Sequence, residues 1–122
     1  MLFRSIWNLV IMNCIFCKII NGEIPAKFIY NGARAVAFAD LNPQAPTHIL
    51  LVPKSHHENA GDLAQGDPEA LIEIFQAAKE IAASEKLEGY RTVFNTGAAA
   101  GQSVFHAHLH LLGGRAMNWP PG

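Results

Sequence analysis

The sequence predicts an α+β domain: an antiparallel sheet of about five strands with one long helix packed on a face. Three observations carry this reading. Residues 67–87 hold the clearest helical apolar stripe. Five short apolar segments, at 27–30, 33–40, 47–52, 90–95 and 104–112, have the length of strands. Few of the connections between them are long enough for a parallel crossover. The chain has 122 residues, 50% of them hydrophobic, which suits one compact domain around one core.

The elements follow in order. Residues 14–21 predict a short helix stopped by Gly22, and Pro25 forces an extended entry to the sheet. Segments 27–30 and 33–40 flank Asn31-Gly32, a hairpin signal because both residues tolerate positive φ. Residues 41–46 contain two prolines and read as a turn. Residues 47–52 (THILLV) read as a buried strand closed by Pro53. Asp67 is the expected N-cap of the long helix and Pro68 its first residue. Its stripe is Leu71, Ile74, Phe75, Ala78, Ile81 and Ala82. A strand at 90–95, a small-residue loop at 96–101 and a last strand at 104–112 complete the fold. A sheet this small leaves an edge or face to cover, and dimerisation is one solution.

Composition excludes several functions. The formal net charge is −1, with no basic stripe, so long nucleic acid is not a partner. Residues 1–13 (MLFRSIWNLVIMN) carry an apolar run too short to span a bilayer and no small-residue cleavage site. We read residues 1–12 as an extension, with Met12 a candidate natural start, and 13–122 as the domain; an extension packed on the domain or a partner is the alternative. The two cysteines, Cys14 and Cys17, form a C-x-x-C pair, a poor disulfide framework. They point to a metal or to a reduced pair in the cytoplasm.

The chemistry concentrates in Val104-Phe105-His106-Ala107-His108-Leu109-His110-Leu111-Leu112. On a strand, alternate side chains share a face, so the three histidines line up while Phe105, Ala107, Leu109 and Leu111 face the core. The outer pair is roughly 13 Å apart along a strand rising about 3.3 Å per residue. Three such rings converge poorly on one ion, and a division of labour is favoured. Neutral imidazole is a nucleophile toward phosphorus that needs no separate base. The loop 97–103 ahead of the strand, ending in Gln102 and Ser103, is small enough for backbone N–H groups to approach an anion. No Walker-type motif occurs.

The run 101–112 resembles the histidine triad (HIT) superfamily pattern, His-φ-His-φ-His-φ-φ, where φ is an apolar residue. Gly113-Gly114-Arg115, Trp119-Pro120-Pro121-Gly122, Ile24-Pro25-Ala26-Lys27, Phe38-Ala39-Asp40, residues 43–48 and Val52-Pro53-Lys54 are similar to its nucleotide-binding branch. The resemblance implies a HIT-like fold, a homodimer with a continuous sheet, and hydrolysis of purine nucleoside phosphoramidates or acyl-adenylates through a nucleotidyl-histidine. It implies that His108 is the nucleophile, that His110 and His48 flank the phosphate, and that Ser103 bonds the leaving group or phosphate. Asn95, Gln102 and His106 join the nucleotide contacts. Asp40 takes the ribose hydroxyls; by itself it reads as a strand-ending cap, and His48 as a core histidine. Ile15, Phe16, Ile19, Phe38 and Leu41 become the base pocket, and Trp119 approaches the partner's site.

Cys14 and Cys17 are half of a tetrahedral zinc site, with His56 or His57 and one triad histidine as further candidates. The resemblance maps a structural zinc onto Cys14, Cys17, His56 and His106, with no cofactor required for the chemistry; the alternative is two buried, unligated thiols. Three other functions compete: a dinucleoside polyphosphate hydrolase, a nucleotide-binding scaffold with little catalysis, and a metalloenzyme using the histidine row.

Overall fold

The structure, a computed structural model, describes residues 13–122; the expected extension at 1–12 lies outside the described residues. Helix α1 (Ile15–Ile20) starts at Cys14, whose sulfur accepts a hydrogen bond from Cys17 N at 3.4 Å. It stops at Asn21, after which Gly22 takes the left-handed conformation (φ +80°) expected of a terminating glycine.

The strands are β1 (Tyr30–Asn31), β2 (Ala35–Ala39), β3 (Thr47–Pro53), β4 (Tyr90–Val93) and β5 (Leu109–Gly113). They form one sheet of order β1-β2-β3-β5-β4, and every neighbouring pair is antiparallel. The hairpin exists, but not with the expected turn. Asn31 lies in β1 opposite Val36, and Gly32 is not among the positive-φ residues. A Cβ there would displace the Tyr30 hydroxyl and the Glu73 carboxylate, which pack over the glycine.

Helix α2 (Ala60–Gly66) was not expected. It is capped by the Asn59 side chain, which accepts from Asp62 N at 2.9 Å, and it buries only Leu63. One buried residue makes no apolar stripe, so periodicity could not reveal it. Helix α3 (Pro68–Ser84) matches expectation at its start, with Asp67 accepting from Ala70 N and Pro68 in the first turn. Its buried face is Ala70, Ile74, Ala77, Ala78, Ile81 and Ala82. Phe75, expected in the stripe, is about half exposed and packs edge-on against Phe94. The alanines let the helix lie close on the sheet.

Both faces of the sheet are covered, which the sequence reading did not anticipate. Ala35, Ala37, Ile49, Leu51, Leu109 and Leu111 pack under α3. Val36, Phe38, Leu50 and Val52 pack on the other face against Cys14, Phe16, Cys17 and Ile19 of the α1 segment. Strand alternation assigns each side chain to its face.

The last strand is shorter than expected. Residues 104–108 are outside the ladder: pairing with β3 stops at Leu51–Leu109, although β3 runs on to Pro53 beside β2, and Pro53 O takes the His106 side chain instead. This segment is held instead by the chain that follows β3: Ala107 N donates to His57 O at 2.7 Å, and Gln102 Nε2 donates to Glu58 O. Alternation persists for Ala107, but Phe105, expected in the core, is 46% exposed.

Candidate functional site

The expected histidine row is brought together, and each ring has a different task. His110 leaves β5 opposite Leu50, on the face opposite α3. His48, two residues earlier on β3, places its Nε2 2.9 Å from His110 Nδ1. Gln44 N–H donates to His48 Nδ1 at 3.0 Å, so that nitrogen is an acceptor. The neutral ring therefore carries its proton on Nε2 and donates it to His110 Nδ1. His110 must then carry its own proton on Nε2, an atom that is buried and has no hydrogen-bond partner among the described residues. A buried, unsatisfied donor is costly. It is a group waiting for an acceptor.

His108 lies between. Its Nδ1 is 2.7 Å from His106 O, and a carbonyl can only accept, so Nδ1 holds the proton. The lone pair is left on Nε2, for which no hydrogen bond exists among the described residues. The ring is fixed edge-on against Phe16 (centroids 4.9 Å apart) and tilted against His110 (4.9 Å). Burial lowers the pKa values of His48 and His108, and the same cause, aided by His108 and His48, pushes His110 down to about 4. All three rings are neutral at neutral pH. A neutral imidazole with one oriented lone pair is what attack on an electrophile needs.

Asp40 stands at the end of β2. Asn42 N donates to its Oδ1 at 2.8 Å, which is the cap reading, while Oδ2 lies 3.4 Å from His48 Nε2. The carboxylate therefore borders the histidines with one oxygen still available. Ser103 is exposed, beside a cavity of about 340 Å³ lined also by Asn13, Cys14, Ile15, His56, Val104 and Phe105. Asn95 is half-buried, its amide 4.0 Å from the Cβ position of Gly101.

Several expected contacts are corrected. Gln102 is buried and spent: it accepts from Gly97 N (2.8 Å) and donates to Glu58 O (2.6 Å) and Val104 O (3.1 Å). It braces the loop and has no N–H left for a nucleotide. The loop amides of Gly97, Ala100, Gly101 and Gln102 are also used internally, which leaves those of Ala98, Ala99 and Ser103 as the loop N–H groups for an anion. His106 is fully buried and offers no surface to a nucleotide. Of the expected base pocket, Phe16, Ile19 and Phe38 pack together, Ile15 is half exposed, and Leu41 is fully exposed with no wall to join. Trp119 is exposed on the C-terminal tail, which Arg91 ties down through Asn118 O. A cavity of about 790 Å³ lies at the far end of the sheet between residues 85–91 and 114–117, and no histidine lines it.

The Cys14–Cys17 pair forms a second centre. Cys14 Sγ lies 3.4 Å and Cys17 Sγ 3.5 Å from His106 Nδ1; His56 Nδ1 lies 3.3 Å from Cys17 Sγ and 3.1 Å from His106 Nδ1. All four donor atoms fall within 4.8 Å of one another. The edges of a tetrahedron around zinc, with bonds of about 2.0–2.3 Å, are roughly 3.3–3.8 Å, so the donor set and its spacing fit that ion. His106 Nε2 donates to Pro53 O at 2.8 Å, which turns the Nδ1 lone pair toward the sulfurs. Neither thiol is in a disulfide. Burial and Cys14 push the Cys17 thiol up to about 12, so a cation is what would draw its proton off. Asp40, His48 and His110 also cluster, but their ring Nδ1 atoms are already occupied by hydrogen bonds. The row is thus divided and does not converge on one metal.

Comparisons with known proteins agree with this geometry. Residues 21–117 match the family model described as HIT domain. A 14 kDa zinc-binding protein of Zea mays is 51% identical over 112 residues, covering 88% of this chain and 87% of its own. The crystal structure of a HIT family hydrolase from Legionella pneumophila is 51% identical, with a TM-score of 0.85 over 90% of this chain and 100% of that one. A histidine triad nucleotide-binding protein from Candida albicans is 33% identical, with a TM-score of 0.77 over 88% of this chain and 83% of that one. With the family pattern spanning most of the sequence and the fold shared at half-identity, the chain belongs to the HIT domain family.

Proposed function

We propose that this protein is a nucleotide hydrolase or transferase of the histidine triad nucleotide-binding branch. Its substrates are purine nucleoside 5'-phosphoramidates or acyl-nucleotidates, of the AMP-amide or AMP-lysine type. The observation that carries the reading is the pair of ring nitrogens at the centre: a lone pair on His108 Nε2 beside a buried, unsatisfied N–H on His110 Nε2. One is a nucleophile and the other a donor for a phosphate oxygen.

The chemistry follows from that pair. His108 Nε2 attacks the α-phosphorus with its lone pair, and a P–N bond forms as the bond to the leaving group breaks. The leaving amine departs with the bonding electrons and takes up a proton from solvent, and the exposed Ser103 hydroxyl is assigned to hydrogen-bond it. The ring becomes cationic, and the His106 carbonyl, already accepting Nδ1–H at 2.7 Å, stabilises that charge. Water then attacks phosphorus, gives up a proton to solvent that balances the one taken by the amine, and breaks the P–Nε2 bond, which releases the nucleoside monophosphate and restores the neutral ring. Asp40 Oδ2 is available to ribose hydroxyls, and Phe16, Ile19 and Phe38 underlie the base.

A homodimer joined through β4 is part of the proposal. Among the described residues this edge strand is unpaired on its outer side, and Ile72, Phe75 and Tyr90 on α3 and β4 are exposed. Two free cysteines suit a cytoplasmic setting, and no described helix is long and apolar enough to cross a membrane. The test is a panel of nucleoside phosphoramidates and diadenosine polyphosphates, assayed with wild type and His108→Ala. Phosphoramidates are expected to be turned over preferentially, with a labelled AMP adduct trapped on wild type and absent from His108→Ala. Unchanged turnover in that variant overturns the reading.

A further inference from the structure

The Cys/His centre and the nucleophile share one residue and one helix turn. His106 presents its ring to Cys14, Cys17 and His56, while its carbonyl, two residues before His108, accepts the nucleophile's Nδ1–H at 2.7 Å. Phe16 sits between the two cysteines on α1 and packs edge-on against both rings, at 5.9 Å from His106 and 4.9 Å from His108. Residues 104–108 lack the strand ladder that would otherwise fix this carbonyl. What holds them is the Ala107 N–His57 O bond, the Gln102 Nε2–Val104 O bond, the His106 Nε2–Pro53 O bond and the Cys/His centre.

We propose that the Cys14–Cys17–His56–His106 centre positions the nucleophile: a metal ion closed on these four residues locks the His106 carbonyl and Phe16 against His108, and so holds its lone pair on Nε2. The inference rests on His108 being the nucleophile. A zinc ion supplies no group to the reaction and serves only as a clamp. His106 and Phe16 are positioning residues. With the clamp open, the 104–108 segment loses its tie to Cys14, Cys17 and His56 and keeps fewer anchors, so the His106 carbonyl is less firmly placed and His108 loses a fixed partner for its Nδ1–H.

The experiment compares the purified dimer or monomer as isolated, the same protein stripped with a chelator, the stripped protein with zinc restored, and Cys17→Ala. The readouts are metal content, far-UV circular dichroism, kcat and KM for a phosphoramidate, and ¹⁵N-histidine NMR, which separates Nδ1–H from Nε2–H tautomers. Stripping is expected to leave the fold intact and lower kcat about tenfold or more, with KM changed less than threefold. The His108 signal is expected to move from one tautomer to a mixture, and zinc to restore both. Cys17→Ala reproduces the stripped state without a chelator. Full kcat with an unchanged His108 signal in metal-free protein overturns the proposal. Unfolding on metal loss also overturns it, since the ion would then serve the fold alone, as does protein that never takes up zinc. His108→Ala separates the two claims: if it is inactive while stripping does nothing, only the clamp fails; if it is active, the nucleophile assignment fails.

Discussion

His48→Leu tests the proton arrangement at the centre of the site. The substitution keeps an apolar side chain of comparable volume on β3 but removes both bonds of the ring: Gln44 N to Nδ1 at 3.0 Å and Nε2 to His110 Nδ1 at 2.9 Å. A neutral hydrogen bond contributes about 1 kcal/mol net. Gln44 is exposed, so its N–H can turn to water, whereas His110 Nδ1 is left facing a hydrocarbon. The expected loss is about 1–2 kcal/mol, too little to unfold a domain of ordinary stability. The functional cost is larger, because His110 is free to move its proton to Nδ1 and present a lone pair, not a donor, to the phosphate. Removing one fixed donor from a developing charge typically costs about a hundredfold or more in kcat. Urea unfolding gives the first number and steady-state turnover of an AMP-amide the second. A folded His48→Leu protein with kcat within twofold of wild type refutes the assigned tautomers.

Three further outcomes follow from the structure. His110 is held at about 4 by burial against 6.5 in the unfolded chain, so between those values only the unfolded chain takes up the proton. Its contribution is complete above pH 6.5 and is lost as pH falls toward 4. Since the ring is only partly buried, the loss is roughly 1–2 kcal/mol; urea midpoints that stay constant from pH 7 to 4.5 contradict this. Gln102→Ala deletes one accepted and two donated bonds, with distances of 2.6–3.1 Å, and is expected to cost about 2–3 kcal/mol and to speed amide exchange across the 97–103 loop, measured by hydrogen-exchange mass spectrometry. Gly32→Ala puts a methyl group into the Tyr30 hydroxyl and the Glu73 carboxylate, and a fall of about 1 kcal/mol or more in stability by thermal melting is expected; an unchanged melting temperature contradicts the close approach.

Much of the site was legible because the triad has a short period. Alternation along a chain is a local property, and His106, His108 and His110 lie on the face opposite Ala107, Leu109 and Leu111 even where the regular ladder stops. The Cys pair likewise announced half of a metal centre by spacing alone. The misreadings share a cause. Gln102, Leu41 and His106 were given nucleotide contacts by their positions in a motif, and what each touches depends on chain segments 40 or more residues away, or on none at all.

The sequence by itself determined the elements whose signals are local: the Asp67-Pro68 start of the long helix, the Gly22 stop, the β3 run, and the alternation that puts three imidazoles on one side. Only the tertiary structure decided what those imidazoles do. His106 turns its ring to the cysteines because Pro53 O takes its other nitrogen, His108 exposes Nε2 because the His106 carbonyl takes Nδ1, and His110 keeps an unsatisfied N–H because His48 supplies its other bond. A histidine's role is set by where its single proton sits, and for His106 and His110 the partners that fix it come from β3, far away in sequence, while the local His106 carbonyl that fixes His108 is itself placed by such contacts. Folding, not the order of residues, brings those partners within 3 Å.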